Sequence, residues 1–164
     1  MISNLQLEAF RLQDVLVRFN ESWLQLEPEE QGDERYDVTP DFDIYEHADG
    51  AQLLVRLSVD CVGVEVDATP RFRQVSIVVW GRFICSDDVS DEVRASLEQY
   101  NTVAILHGIA RGMLVQVTGG AVGGPFLLPS LNYKAIVERK TAEAEGPGKD
   151  GDQQDQERDF TDDT

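Results

Sequence analysis

Few residues of this chain could carry covalent or metal chemistry. Cys61 and Cys85 both lie in apolar runs that read as strands, where a reduced thiol behaves as a small buried apolar group. Two cysteines cannot build a disulfide framework. His47 and His107 are isolated from each other and from the cysteines, so no tetrahedral ligand set is expected and no metal is assigned. The glycine pairs at 119–120 and 123–124 follow a helical pattern instead of opening one, and no Lys-Ser/Thr comes after them. They do not read as a phosphate loop. There is no G-x-S-x-G, no H-E-x-x-H and no nucleophile with an evident base. We therefore expect no catalytic residue, no cofactor and no enzymatic activity.

Charge narrows the partners. The 164 residues hold 31 Asp and Glu against 14 Lys and Arg, a net charge of −17. Repulsion of that size opposes phosphate tracking, so no nucleic-acid partner is expected. It also opposes an anionic membrane surface, whereas basic or apolar partners fit. No apolar stretch reaches the roughly 18 residues of a membrane helix. The N-terminus lacks the basic and apolar regions of a signal peptide, and the sequence reads as cytoplasmic. The acidity concentrates at one end. Residues 141–164 hold nine acids, two bases and only Ala142, Ala144 and Phe160 as apolar residues. Such a stretch cannot bury enough surface to offset its ordering entropy. The expected division is a folded domain over 1–140 and a disordered acidic tail over 141–164.

The first half has the period of strands. Residues 5–19 alternate, with slips of phase that predict one long strand carrying kinks or bulges. Residues 20–40 are acidic and turn-rich and read as a long connection. DFDIYE and the run 51–66 follow as a pair joined by a tight Asp49-Gly50 turn, and residues 72–85 alternate again. Four antiparallel strands result. The second half changes period. Ser86 or Ser90 could cap a short helix. Residues 103–118 then place Val103, Leu106, Ala110, Met113 and Val117 on one stripe, widened by Ile105, Ile109 and Leu114. Gly119-Gly120 is expected to cap this helix, and Asn132 to start the last one, with Tyr133, Ile136 and Val137 inward. Strands first and helices after make an α+β domain.

Two features ask for more than a core. Gly108 and Gly112 each cost about 1 kcal/mol against Ala inside a helix, which suggests close approach of another backbone. Apolar residues also collect in connections, Trp23, Leu24 and Leu26 in one and Phe126, Leu127 and Leu128 in another. They either cover the core or line an apolar groove for extended peptides.

The order of these parts resembles the SecB protein-export chaperones and their SecB-like relatives. The run NTVAILHGIARGMLVQVTGGAVGGPFLLPSLNYKAIVE carries the resemblance through Asn101, Ile105, Leu106, Ala110, Arg111, Pro125, Pro129, Asn132 and Tyr133. The opening strand with Asp14, DFDIYEH, LLVRLSVD and GRF add to it, so that about residues 5–140 are covered. The resemblance implies a four-stranded antiparallel sheet packed with two helices and a homotetramer built as a dimer of dimers. The implied oligomer interface includes Leu106, Gly108, Gly112 and Met113. It implies an ATP-independent holdase, a chaperone that binds unfolded client polypeptides and serves protein transport through SecA. The implied apolar groove is lined by Trp23, Leu26, Tyr36, Phe126, Leu128, Tyr133 and Ile136, and Asp14 is the implied SecA contact.

The match has departures. Four residues after Asp14, where the family has a second acid, this chain has Arg18, and the fourth strand reads SIVVW where export members often carry Glu. Some SecB-like proteins instead guard the antitoxin of a toxin–antitoxin pair, which is the alternative client. A hotdog-like thioesterase is the alternative of another class. In that fold the long helix comes early and bears a carboxylate, whereas here it follows the strands and has no acid between Val103 and Thr118.

Overall fold

The computed structural model describes residues 4–46, 52–66, 68–86 and 89–144. Four strands form one antiparallel sheet in the order β1-β4-β3-β2: β1 Leu5–Phe19, β2 Tyr36–Glu46, β3 Gln52–Gly63 and β4 Phe72–Cys85. The helical segments are α1 Asp91–Ser96, α2 Thr102–Thr118 and α3 Tyr133–Ala144. The fold is α+β, a four-stranded antiparallel sheet packed with helices on one face.

Alternation decides the faces. Leu53, Val55, Leu57, Val59 and Cys61 of β3 and Val75, Ile77, Val79, Phe83 and Cys85 of β4 are buried. They form one cluster with Val103, Leu106, Ala110 and Leu114 of α2. The residues between them face away from the helices. Gly81 lies on the covered face because no side chain fits there. A Cβ would stand 2.6 Å from Leu106 Cδ2 and 2.7 Å from Phe83 Cε2. The slips of phase in β1 are register shifts between Leu7 and Ala9 and between Leu12 and Asp14, and a third shift, at Arg18 and Phe19, skips Arg73 of β4.

Several expectations need correction. The connection expected to run to residue 40 ends earlier, because β2 begins at Tyr36. Pro40 stands inside β2 opposite Val59, which an edge strand tolerates since one side of it needs no ladder N–H. The third strand stops at Gly63 instead of 66. The short helix and the long one are not separate. A π-helical turn over Leu97–Asn101 joins α1 to α2 without a break, Asn101 and Thr102 both being right-handed helical. Ser90 holds the cap position of α1 but makes no side-chain cap bond.

The buried stripe of α2 is Val103, Leu106, His107, Ala110, Leu114 and Thr118, while Val117 is 53% exposed. Gly119 does not cap α2 by a left-handed turn, its φ being −59°. Thr118 closes the helix instead, its Oγ1 donating to the Leu114 carbonyl at 2.5 Å and accepting the Phe126 N–H at 2.8 Å. Left-handed backbone occurs further on, at Gly123 and Gly124. At the start of α3, Asn132 Oδ1 accepts the Ala135 N–H at 3.2 Å. The helix runs to Ala144. The Asp49-Gly50 turn, His47 and the acidic segment beyond Ala144 lie outside the described residues.

The end of α3 covers the free edge of β2. Arg139 donates to the Pro40 carbonyl at 2.9 Å. Lys140 Nζ bonds the Phe42 carbonyl and reaches Asp41 at 2.6 Å and Asp43 at 2.9 Å. Blocking edge carbonyls in this way protects a strand from unwanted pairing. Burial alone would raise the Asp41 carboxyl, but the Lys140 ammonium holds it below the ordinary range.

Candidate functional site

The long connection between β1 and β2 is built on two short 3-10 turns, Glu21–Gln25 and Pro28–Glu30. Asn20 starts the first, its Oδ1 accepting the Ser22 N–H at 3.3 Å. Its own N–H bonds the Arg71 carbonyl at 2.9 Å, so the connection is fastened to the approach of β4. This fastening turns Trp23 inward, 6% exposed. Its ring lies under the loop after α2, where a Cβ at Gly123 would come within 2.8 Å of Trp23 Cη2. Glycine there serves both its φ of 84° and the closeness of the indole.

Beside Trp23 an aromatic cluster spans four elements. Tyr36 meets Phe126 edge-on at 5.0 Å, Phe126 meets Phe72 edge-on at 5.5 Å, and Phe72 meets Phe19 at 4.8 Å. Edge-to-face pairs at such spacing are favourable beyond their buried area. Arg71 pins the cluster. Its guanidinium stands 4.8 Å above the Phe72 ring and 5.9 Å from Trp23. One Nη donates to the Gly124 carbonyl at 2.9 Å. Its Nε lies 3.5 Å from Glu34, an ion pair without hydrogen-bond geometry. Tyr36 Oη donates to Glu34 at 2.6 Å and accepts the Phe72 N–H at 3.3 Å. Burial and then the Glu34 carboxylate push the Tyr36 phenol well above its ordinary pKa.

A second polar link joins α3 to α2. Tyr133 Oη and His107 Nδ1 are 2.6 Å apart, while His107 Nε2 is buried and makes no hydrogen bond among the described residues. Burial pushes His107 below the usual imidazole range, the Pro129 carbonyl opposes this, and Arg111 adds to it.

The expected groove residues therefore fall into two sets. Trp23, Phe126, Leu128 and Ile136 are buried within this chain. Leu26, Tyr36 and Tyr133 are half-buried. The structure pairs Tyr36 with Phe126 and ties Trp23 to them through Arg71, and Tyr133 meets His107 instead of that cluster. Exposed apolar side chains flank the cluster. Trp23 lies against Gly123, so their chain neighbours Leu24 and Val122 border one contact, and both are exposed. Leu127 is 61% exposed between the buried Phe126 and Leu128. Sequence reading missed Arg71, because a lone arginine after a proline carries no signal of burial, and gave Phe72 a place in the fourth strand but none at this site. It also read His107 as structural without its Tyr133 partner.

Of the residues assigned to an oligomer interface, Leu106 is fully buried over Gly81. Gly108 and Gly112 are exposed with open space around a Cβ, and Met113 is half-buried. Asp14 is exposed, paired in register with Val78 on the face away from the helices. Among the described residues no group of His, Cys, Asp or Glu could hold a metal ion, and no helix is long and apolar enough to cross a membrane.

Known proteins extend this picture. No family profile matches the chain. It is 27% identical over 129 residues to the uncharacterized protein MJ0357 of Methanocaldococcus jannaschii, covering 79% of this chain and 83% of that one. Its fold is similar to that of the Mycobacterium tuberculosis SecB-like chaperone Rv1957, solved in complex with a ChAD peptide from the Rv1956 HigA1 antitoxin. The TM-score is 0.57 at 17% identity, with 79% of this chain and 91% of that chain covered. A Streptococcus agalactiae protein of unknown function matches at a TM-score of 0.45 and 17% identity, over 77% of this chain and 97% of that one. The fold is thus SecB-like.

Proposed function

We propose that this chain is an ATP-independent holdase that binds unfolded or extended segments of other polypeptides. The carrying observation is the exposed apolar set Leu24, Val122 and Leu127 around a pinned aromatic cluster, on a fold shared with a chaperone that holds an antitoxin peptide. Apolar burial with few directional demands suits clients of varied sequence. In this reading the protein is a cytoplasmic homotetramer without catalytic activity.

Two client classes fit. An antitoxin segment is favoured by the peptide held in Rv1957. Preproteins destined for SecA are the other class, with exposed Asp14 as the contact, but Arg18 puts a positive charge on the same strand face.

The test dilutes a chemically unfolded protein into buffer with or without the chain, without nucleotide, and follows light scattering. We expect aggregation to be suppressed near stoichiometric ratio, and the double variant Leu24→Asp, Leu127→Asp to lose most of the effect. Both positions are exposed, so the variant should fold. No suppression by the parent chain, or turnover of acyl-CoA thioesters, would overturn the reading.

A further inference from the structure

The face of the sheet away from the helices carries a second apolar feature. A cavity of about 600 Å³ opens there, lined by Phe10, Arg11, Gln13, Leu54, Trp80 and Arg82 among others. Its walls are built by the bulges of β1. Glu8 and Gln13 are the residues skipped in the β1–β4 register. A bulge leaves one residue unpaired and re-aims its side chain. Glu8 reaches Arg82, with a carboxylate oxygen 2.7 Å from Nε. Gln13 Oε1 accepts the Trp80 indole N–H. Trp80 is further stacked on Tyr45, ring centres 5.9 Å apart. Phe10 and Leu54 are 53% and 43% exposed. Arg11, in register with Trp80, makes no ion pair among the described residues. The cavity thus offers an oriented indole, two exposed apolar walls and an uncompensated guanidinium.

We propose that the occupant is the chain's own acidic segment, with Phe160 in the cavity and neighbouring aspartates on Arg11. Three observations single it out. Residues 145–164 hold eight acids and two bases, so the unpaired Arg11 is an attractive neighbour in a chain of net charge −17. Phe160 is the one large apolar residue of that segment, with Asp159 beside it and Asp162 two residues on, and the cavity offers the exposed apolar walls Phe10 and Leu54 to it. The reach is ample. Sixteen residues from Ala144 to Phe160 span up to about 50 Å when extended, while the sheet from β2 to β1 is about 15 Å across. Tethering adds a millimolar effective concentration, so a contact too weak to form between separate molecules fills the cavity.

The test uses the full chain with Thr161→Cys carrying a nitroxide label. The native thiols are buried, and burial pushes Cys61 up to about 12, so they do not compete for the label. The readout is paramagnetic broadening of the two indole signals, Trp80 and Trp23. We expect Trp80 to broaden several-fold more than Trp23. Phe160→Ala should abolish the difference, and Arg11→Glu or high salt should reduce it. Equal broadening of both indoles, or insensitivity to Phe160→Ala, would overturn the proposal. Broadening that appears only when labelled chains are mixed with isotope-labelled ones, and fades on dilution, would assign the cavity to a second copy and overturn the intrachain contact.

Discussion

Two aromatic regions of this protein have opposite fates. Under the β1–β2 connection, Tyr36, Phe72 and Phe126 meet edge to face, and the pinned Arg71 guanidinium links them to Trp23. Across the sheet, Phe10, Leu54 and Trp80 surround an open cavity. The first region joins two residues from connections, Trp23 and Phe126, to the opening residues of β2 and β4, whereas the second is made of residues inside strands. Residues in connections become buried when two connections are folded onto each other, here through Asn20 to Arg71 and Arg71 to Gly124. Strand residues become exposed when alternation points them away from the helical layer. Local position in a loop or strand therefore does not tell which apolar groups remain free to meet a partner.

Stability should separate the regions most sharply. Trp23→Ala and Phe126→Ala each remove a buried aromatic and should cost about 3–5 kcal/mol in urea unfolding. Trp80→Ala, on a half-exposed face, should cost about 1 kcal/mol. Similar losses at Trp23 and Trp80 would erase the distinction. Arg71→Met keeps the stem but removes the Glu34 ion pair and the donor to the Gly124 carbonyl, and should cost about 2–3 kcal/mol.

The sheet was legible from its period, including the slips in β1, because a face change every second residue leaves a clear trace. The start of β2 was not, because Tyr36 to Pro40 combine charge with a proline that only an edge position accommodates. The Trp23–Phe126 region could be named from apolar residues in connections. Its burial could not, since that depends on Arg71 and Gly123, contacts far apart in sequence. The outer cavity was invisible because Gln13 and Glu8 gain their roles only once the bulges skip them.

Glycines give a smaller and sharper comparison. Gly81→Ala forces a Cβ into Leu106 and Phe83 and should cost about 1–3 kcal/mol. Gly112→Ala meets open space and should gain up to about 1 kcal/mol from helix propensity. A second copy packed on α2 would reverse that sign. Light scattering and thermal melts of Gly112→Ala, read together, therefore show whether the exposed glycine face is an interface. A gain in stability with unchanged mass would count against a close backbone approach there.

The slightest effect expected is a pH slope from His107. Its folded-state pKa is depressed, chiefly by burial, so the unfolded chain binds the proton more readily. The stability this burial contributes is present above the unfolded value near 6.5 and is lost as pH falls below it. Protonation puts a hydrogen on both ring nitrogens, so that Nδ1 can only donate to the Tyr133 hydroxyl, and it adds a cation near Arg111. Urea midpoints should therefore decline gently from pH 7 to pH 5, and His107→Gln should flatten that decline. His47 is the other histidine, and His47→Gln should leave the slope in place. The Asp41–Lys140 clamp gives a separate loss at lower pH, because the Asp41 carboxyl titrates below its ordinary range. Lys140→Met should remove that later loss and spare the first. A slope between pH 7 and 5 that survives His107→Gln but vanishes with His47→Gln would move the sensitivity out of the α2–α3 contact. The Tyr133 link would then hold α3 by packing alone.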